Sequence, residues 1–300
     1  MLPVNATNPK NIDRRQMLKA AVAGSAALLA SGELMKAEGQ AAAAPAARKG
    51  RIHQSACKWC YPKIQLEDFC KAGAEIGLKG IDLLQPEEFE IPKKYGLVCS
   101  MGYVGAGDIP NGLNVEENHA KIEEALKKNL PLAAKAGVPN VITFSGNRRK
   151  LNDWDGARTT IKGLKRVKQM VEDSGVTLNV ELLNSKVNHP DYMCDHTAWG
   201  VLVMEEVNSP NIKLLYDIYH MQIMEGDLIA TIKANIQWLG HFHTGGVPGR
   251  HELDNTQEIN WVGVMNAIAD SGYKGYVAHE FLPTADPLTS LRQAVDLCDV

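Results

Sequence analysis

The feature that most constrains this chain is a pattern that repeats eight times after residue 50. Short runs of apolar and β-branched residues alternate with longer amphipathic stretches. This alternation is typical of βα units built around a parallel sheet. The predicted strands are residues 52–56, 80–84, 97–102, 140–144, 177–183, 212–216, 239–243 and 276–281.

Several of the intervening segments carry helix stop signals. The predicted helices 66–76, 115–136, 154–173 and 261–270 each end within two residues of a glycine. Glycine accepts the left-handed conformation that ends many helices. No glycine-rich phosphate-binding turn follows the first predicted strand, which favours a closed barrel over a doubly wound open sheet. Residues 51–300 are therefore expected to form a single α/β domain, a (β/α)8 TIM barrel.

Composition narrows the class of protein. The 300 residues are 45% hydrophobic and carry a net charge of -3, so the chain can bury a large core and is not a disordered protein. The basic residues are scattered, which argues against a nucleic-acid partner. The six cysteines are too few and too widely spaced for a disulfide scaffold. A small-molecule substrate is expected, and a homo-oligomer is expected on symmetry grounds alone.

The first 50 residues resemble an export signal. Arg14 and Arg15 precede the apolar run 20–30, and a stretch of small residues follows at 41–47. This arrangement looks like a twin-arginine signal peptide, which implies a periplasmic or otherwise exported protein. The apolar run is too short to cross about 30 Å of hydrocarbon, so no stable membrane span is expected after processing. The alternative is an ordinary alanine-rich amphipathic helix.

Ionisable side chains mark the ends of the last four predicted strands. Barrel enzymes place their active sites at these carboxyl ends, and an unpaired buried charge there would cost several kcal/mol. Four such groups on consecutive strands indicate convergence on one cation. Three carboxylates and one imidazole suit Mn²⁺, Mg²⁺ or Co²⁺, and Zn²⁺ also fits. The candidates are Glu181, Asp217, His243 and Glu280.

Periodicity alone does not choose between two histidines on the seventh strand. His241 and His243 are two residues apart, so their side chains point to the same side of a strand. Each residue taken singly also has a structural interpretation. Asp217 would be a turn residue at a strand end, and Glu181 or Glu280 would pair with a buried arginine.

Four segments together resemble the hydroxypyruvate isomerase family, which belongs to the xylose isomerase-like barrels alongside the ketose 3-epimerases. They are VELLN (180–184), LYDIYHMQ (215–222), HTGGVPGRHE (243–252) and EINW (258–261). The second and third strings are specific, and the similarity covers essentially residues 51–300. His243 stands where hydroxypyruvate isomerases commonly carry glutamine, and in this respect the chain is more similar to the ketose epimerases.

The resemblance implies roles for individual residues. Glu181, Asp217, His243 and Glu280 would bind the metal, and Glu181 and Glu280 would also form the catalytic acid/base pair. His220 and Arg250 would bind substrate oxygens. His189, in the loop after the fifth strand, is a further candidate for substrate binding because loops at this end of a barrel carry function.

The expected reaction is isomerisation or epimerisation of a small ketose or hydroxy-keto acid through an enediolate. One glutamate removes a proton from carbon, and the other returns it to the neighbouring carbon or to the opposite face of the same carbon. The same residues would serve a metal-dependent lyase or hydrolase acting on an oxidised sugar or keto-glycoside in the periplasm. A sugar-binding protein without activity is a third hypothesis, against which the two strand-end carboxylates argue.

Weaker signals lie in the loops. Cys57 and Cys60 form a CxxC pair after the first strand, with a local disulfide or two packed thiols as the default and a redox or zinc role as the alternative. Asp195 is expected to cap the following helix. Residues 148–150, Arg-Arg-Lys, are expected to form a solvated loop.

Overall fold

A computed structural model describes residues 48–300, and the predicted signal peptide lies outside the described residues. Eight parallel strands close into a barrel in chain order, with the eighth strand pairing with the first. The predicted (β/α)8 fold is therefore confirmed. The strands are β1 His53–Cys57, β2 Gly80–Leu84, β3 Val98–Gly102, β4 Asn140–Thr143, β5 Thr177–Leu182, β6 Ile212–Asp217, β7 Leu239–Thr244 and β8 Tyr276–His279.

Helices surround the barrel and bury their apolar faces against it. Helix α3 begins at an Asn152 cap, whose side chain accepts a hydrogen bond from the Asp155 amide, and it ends at Gly175 with φ 69°. This is the glycine stop that the sequence predicts. The helices are α1 Leu66–Ile76, α2 His119–Ala136, α3 Asp153–Ser174, α4 Thr197–Val207, α5 Ile218–Met224, α6 Leu228–Asn235, α7 Trp261–Asp270 and α8 Pro287–Leu297.

The connection from β2 to β3 departs from the regular pattern. It contains only two short 3₁₀ turns, Pro86–Glu88 and Ile91–Tyr95. A proline near the start of each turn limits helical hydrogen bonding in so short a segment. After β6, by contrast, two helices follow in succession, α5 and α6. Helix α2 begins at His119, four residues later than the sequence predicts, because a 3₁₀ turn precedes it.

The second strand is irregular where it approaches the carboxyl end of the barrel. Its pairing with β3 shifts register on both sides of Asp82. Leu83 has φ 58°, a left-handed conformation that is costly for a side chain branched beyond Cβ. The next pair of strands, β3 and β4, is joined at one register pair, Gly102 with Val141. This side of the barrel is therefore its least regular.

None of the helices within residues 48–300 combines the length and the apolar character that crossing a bilayer requires.

Candidate active site

The four predicted metal ligands meet at the carboxyl end of the barrel. Glu181 is near the end of β5, Asp217 ends β6, His243 is near the end of β7, and Glu280 directly follows β8. One potential ligand atom from each residue lies within 4.8 Å of the others, and all four side chains are buried. The parallel strands produce this convergence because their ends share one rim of the barrel.

His243 faces two of the carboxylates with one nitrogen. Its Nδ1 lies 2.8 Å from Oε2 of Glu280 and 3.4 Å from Oε1 of Glu181. Neither contact has hydrogen-bond geometry, and Nδ1 is buried without a hydrogen-bond partner. The other nitrogen, Nε2, lies 2.9 Å from Oδ2 of Asp82. The imidazole therefore points Nδ1 at the carboxylate cluster. Of the two histidines on β7, His243 and not His241 is the candidate metal ligand.

Glu280 is the most heavily partnered of the carboxylates. Arg250 Nη2 donates to its Oε2 at 2.6 Å, and the indole Nε1 of Trp59 donates to its Oε1 at 2.7 Å. Arg250 also lies 3.4 Å from Oδ2 of Asp217. Its backbone has φ 59°, a left-handed conformation that is uncommon outside glycine. The guanidinium is thus fixed across two members of the cluster.

Burial and neighbouring charges separate the three acids. Burial raises the pKa of Asp217 to about 7 despite the nearby Arg250. Burial likewise raises the pKa of Glu181, with only partial relief from His243. Burial also opposes ionisation of Glu280, but Arg250 and His243 outweigh it and hold the pKa of Glu280 well below its usual value. Glu280 is therefore the carboxylate most firmly held as an anion.

The donor set fits a divalent cation. Three buried carboxylates share one guanidinium, which leaves negative charge that a buried site must neutralise. Nδ1 of His243 has no hydrogen-bond partner and lies 2.8 and 3.4 Å from two of the carboxylates, so a cation bound between them would also reach this nitrogen. Oxygen donors with one imidazole suit Mg²⁺ or Mn²⁺, and the same residues accommodate Co²⁺ or Zn²⁺.

His220 is placed as a neutral hydrogen-bond donor. Its Nδ1 accepts from the backbone amide of Asn184 at 3.1 Å, so the proton of the neutral ring is on Nε2. Nε2 is buried without a hydrogen-bond partner, 3.6 Å from Oδ2 of Asp217. Burial and then Arg250 keep the pKa of His220 well below its usual value. This N–H is available to a substrate oxygen.

A cavity of about 200 Å³ opens beside these groups. Its charged and polar wall includes Glu181, Glu280 and two of the predicted substrate-binding residues, Arg250 and His189. The ring of His189 lies 5.3 Å from that of His220. The rest of the lining is apolar and aromatic, formed by Trp59, Leu83, Tyr103, Ile109, Ile142, Phe144 and Leu183. Four of the predicted site residues therefore line one small, largely apolar chamber, and Asp217, His220 and His243 are buried beside those four.

Sequence reasoning missed Asp82. This carboxylate is completely buried on β2 and accepts hydrogen bonds from His241, His243 and Ser100. Burial opposes its ionisation, but the two imidazoles hold its pKa below its usual range. A signal was available, since Asp82 is the one charged residue in the apolar run GIDLL.

The loop expectations need two corrections. Asp195 does not cap α4, which begins after His196. Asp195 instead accepts from Arg148 at 2.9 Å and from Ser185 at 2.5 Å, while Glu225 accepts from the first amide of α4. Arg148 is consequently paired and partly buried, not solvated. Its pairing with Asp195, a carboxylate thirteen residues beyond the end of β5, could not be predicted from local sequence.

The CxxC pair consists of two buried free thiols. Burial raises the pKa of both Cys57 and Cys60 well above the usual value, which disfavours the reactive thiolate. Of the two default interpretations, a local disulfide or two packed thiols, the structure has the second. Trp59 between them is 41% exposed and borders the cavity.

Comparison with known proteins assigns the family. The model of the xylose isomerase-like TIM barrel family matches residues 72–299. The chain belongs to this family. A putative hydroxypyruvate isomerase from Homo sapiens is 24% identical over 238 residues, covering 78% of this chain and 80% of that protein. A 2-oxo-tetronate isomerase from Haemophilus influenzae is 27% identical over 251 residues, covering 77% of this chain and 93% of the relative.

A solved structure agrees with this assignment at the level of fold. The crystal structure described as AP endonuclease, family 2, from Brucella melitensis aligns with a TM-score of 0.73 at 24% identity, covering 80% of this chain and 97% of that one. At this identity the likeness shows a shared (β/α)8 barrel fold and no more.

Proposed function

We propose that this member of the xylose isomerase-like family is a divalent-metal-dependent isomerase of a small hydroxy-keto acid. One observation carries the proposal: Glu181 and Glu280 line the same cavity and converge with Asp217 and His243 on one point. The curated relatives, named hydroxypyruvate isomerase and 2-oxo-tetronate isomerase, support the substrate class.

The four converging residues would hold the cation through carboxylate oxygens and Nδ1 of His243. When bound, a divalent cation supplies Lewis-acid stabilisation of the negative charge that develops on the substrate oxygens. Mn²⁺, Mg²⁺ and Co²⁺ are the expected ions, and Zn²⁺ is also compatible with the donor set.

Glu181 and Glu280 would act as the acid/base pair. The pKa of Glu181 is raised by burial, whereas that of Glu280 is held down by Arg250 and His243. Pairs of carboxyl groups whose environments separate their pKa values commonly divide the acid and base roles. One carboxylate takes a proton from the hydroxyl-bearing carbon, and the other returns a proton to the former carbonyl carbon, while the hydroxyl proton moves from its own oxygen to the former carbonyl oxygen. A 3-hydroxy-2-oxo acid thereby becomes a 2-hydroxy-3-oxo acid.

Three residues would position the substrate. His220 offers its Nε2–H to the carbonyl oxygen as a neutral donor. Arg250 brings the only guanidinium among the residues that line the cavity, and it suits an acidic substrate. His189 borders the same space, and burial lowers its pKa, so it too acts as a neutral ring.

The size of the chamber favours a small acid over a glycoside. About 200 Å³ is below the range of about 300–1,000 Å³ that holds drug-sized ligands. The apolar wall offers few partners for the hydroxyl groups of a sugar, and unpaired hydroxyl groups would lower affinity. We therefore prefer isomerisation of a hydroxy-keto acid to lysis or hydrolysis of a keto-glycoside. Export through the twin-arginine pathway and homo-oligomer formation remain predictions.

The test is turnover of hydroxypyruvate in D₂O by protein reconstituted with Mg²⁺, followed by NMR. We expect the aldehyde isomer to form and deuterium to enter carbon-bound positions of substrate or product. Keto-glycosides and ketohexoses serve as comparison substrates. Cleavage of a keto-glycoside, with no conversion of three- or four-carbon hydroxy-keto acids, would replace this proposal with the lyase or hydrolase.

A further inference from the structure

Asp82 lies behind the cluster of proposed ligands, on the far side of the His243 ring. Its Oδ2 is 2.9 Å from His243 Nε2 and 3.1 Å from His241 Nε2. Its Oδ1 accepts a short hydrogen bond from the Ser100 hydroxyl. All of these side chains are fully buried. The Cys57 thiol also donates to Oδ2, at 3.7 Å, so Asp82 has four side-chain partners, and it is not among the residues that line the cavity.

An ionised carboxylate can only accept hydrogen bonds. Both imidazoles must therefore present an N–H to Asp82 through Nε2. A neutral imidazole that carries its proton on Nε2 has a lone pair on Nδ1. With a cation bound, Nδ1 of His243 would carry that lone pair; in this structure Nδ1 faces Glu181 and Glu280 and has no hydrogen-bond partner.

We propose that Asp82 is a positioning residue that holds His243 in the Nε2–H tautomer, so that Nδ1 is free to bind the cation. This inference rests on the metal site of the proposed function. It adds a role for Asp82, which is not one of the four proposed ligands. Carboxylates that accept from the second nitrogen of a metal-binding histidine fix the ring orientation and raise its basicity.

The backbone of β2 supports a functional role for this residue. Side chains normally alternate between the two faces of a strand. Here the register shifts around Asp82, and Leu83 adopts φ 58°. As a result the consecutive residues Asp82 and Leu83 face the buried histidines and the cavity, respectively. Non-glycine residues in this conformation are strained and concentrate at functional sites.

The direct test observes the tautomer in the wild-type chain. In protein labelled with ¹⁵N-histidine and loaded with diamagnetic Mg²⁺, the ¹⁵N shifts of His243 should show a protonated Nε2 and an unprotonated Nδ1. A protonated Nδ1 in the metal-loaded protein would overturn the proposal. No variant has to fold for this measurement.

Two variants test the consequence for affinity. Asp82→Asn keeps the size but loses the charge, and Asp82→Leu removes every acceptor. We expect the Mn²⁺ dissociation constant, measured by competition with a chelator, to rise about 10–100-fold for Asp82→Asn and more for Asp82→Leu. The matched control is Ser100→Ala, which removes a partner of Asp82 but leaves both imidazole contacts. Its affinity should stay within about twofold of the wild type.

These measurements distinguish failure of the positioning role of Asp82 from failure of the proposed reaction. Equal Mn²⁺ affinity in folded Asp82→Asn and the wild type would overturn the positioning role. A wild type that binds Mn²⁺ as predicted but converts no hydroxy-keto acid would count against the proposed reaction and leave the role of Asp82 intact.

Discussion

At the scale of single residues, the two proposed acid/base groups differ in their surroundings. Both oxygens of Glu280 have donors, from Trp59 and from Arg250. For Glu181, by contrast, the ionic contact of the side chain within residues 48–300 is the 3.4 Å approach of His243, and no donor bonds its carboxylate oxygens there. Because Glu280 is anchored and ionised while Glu181 is less constrained, we expect them to serve different halves of the proton transfer.

A general acid or base contributes about 10²–10⁴-fold to turnover. Glu181→Gln and Glu280→Gln should each lower turnover by at least this factor. With saturating Mg²⁺ in D₂O, one of the two variants should still exchange a substrate proton for deuterium without forming product. The measurement is NMR of recovered substrate. If both variants retain full turnover, the acid/base assignment is wrong.

The sequence predicts the residues of the site better than the contacts behind them. Glu181, Asp217, His243 and Glu280 stand out because each is an ionisable group at a strand end. The role of Asp82 depends on a register shift and on pairing with residues 159 and 161 positions away. Neither is visible in local periodicity.

At the scale of secondary structure, the helix ends were predictable where a glycine marks them. The connection after β2 was not, because two short 3₁₀ turns leave no helical periodicity to detect. Strand β8 illustrates a second limit. Its last residue, His279, contacts Thr244 on the preceding strand and Gln54 on β1, which is 225 residues earlier in the chain.

His279 gives a pH prediction for stability. Burial lowers its pKa to about 3 in the folded chain, against about 6.5 when unfolded. The folded state therefore favours the neutral ring. The stability from this preference is complete above about pH 6.5 and declines as the pH falls toward about 3. By pH 5 the loss should be about 2 kcal/mol.

The check is urea unfolding at pH 7 and pH 5 of the wild type and of His279→Gln, which keeps a polar side chain but does not titrate. The wild type should lose about 2 kcal/mol more than the variant over this interval. Equal losses in the two proteins would show that His279 is not held neutral by the fold.

At the scale of the whole molecule, the barrel includes residues just before the first strand. The Arg48 guanidinium donates to the Ile76 carbonyl and to Asp296, both at 2.7 Å. The amides of Lys49 and Gly50 donate to Asp299 at 2.8 and 2.9 Å. These contacts join the start of the described chain to α1 and to the C-terminal residues.

A chain that begins at Arg48 should fold and unfold at the same urea midpoint as the full-length protein, because residues 1–47 are predicted to serve export alone. A chain that begins at Ile52 should lose about 1–2 kcal/mol, since it lacks these partly exposed hydrogen bonds. Failure of the chain from Arg48 to fold would contradict the prediction that the N-terminal segment is dispensable.

The central claim is that one divalent cation is bound between the ends of four barrel strands. Asp217→Asn tests it with little change of shape, because the asparagine oxygen can still accept from the His220 amide, as Asp217 does at the start of α5. Titration of Mn²⁺ into chelator-stripped protein should show one site per chain in the wild type. Loss of a residue that supports a metal ligand is expected to lower metal affinity about 10–100-fold. In Asp217→Asn the affinity for Mn²⁺ should fall by more than this. Unchanged stoichiometry and affinity in the variant would contradict the claim.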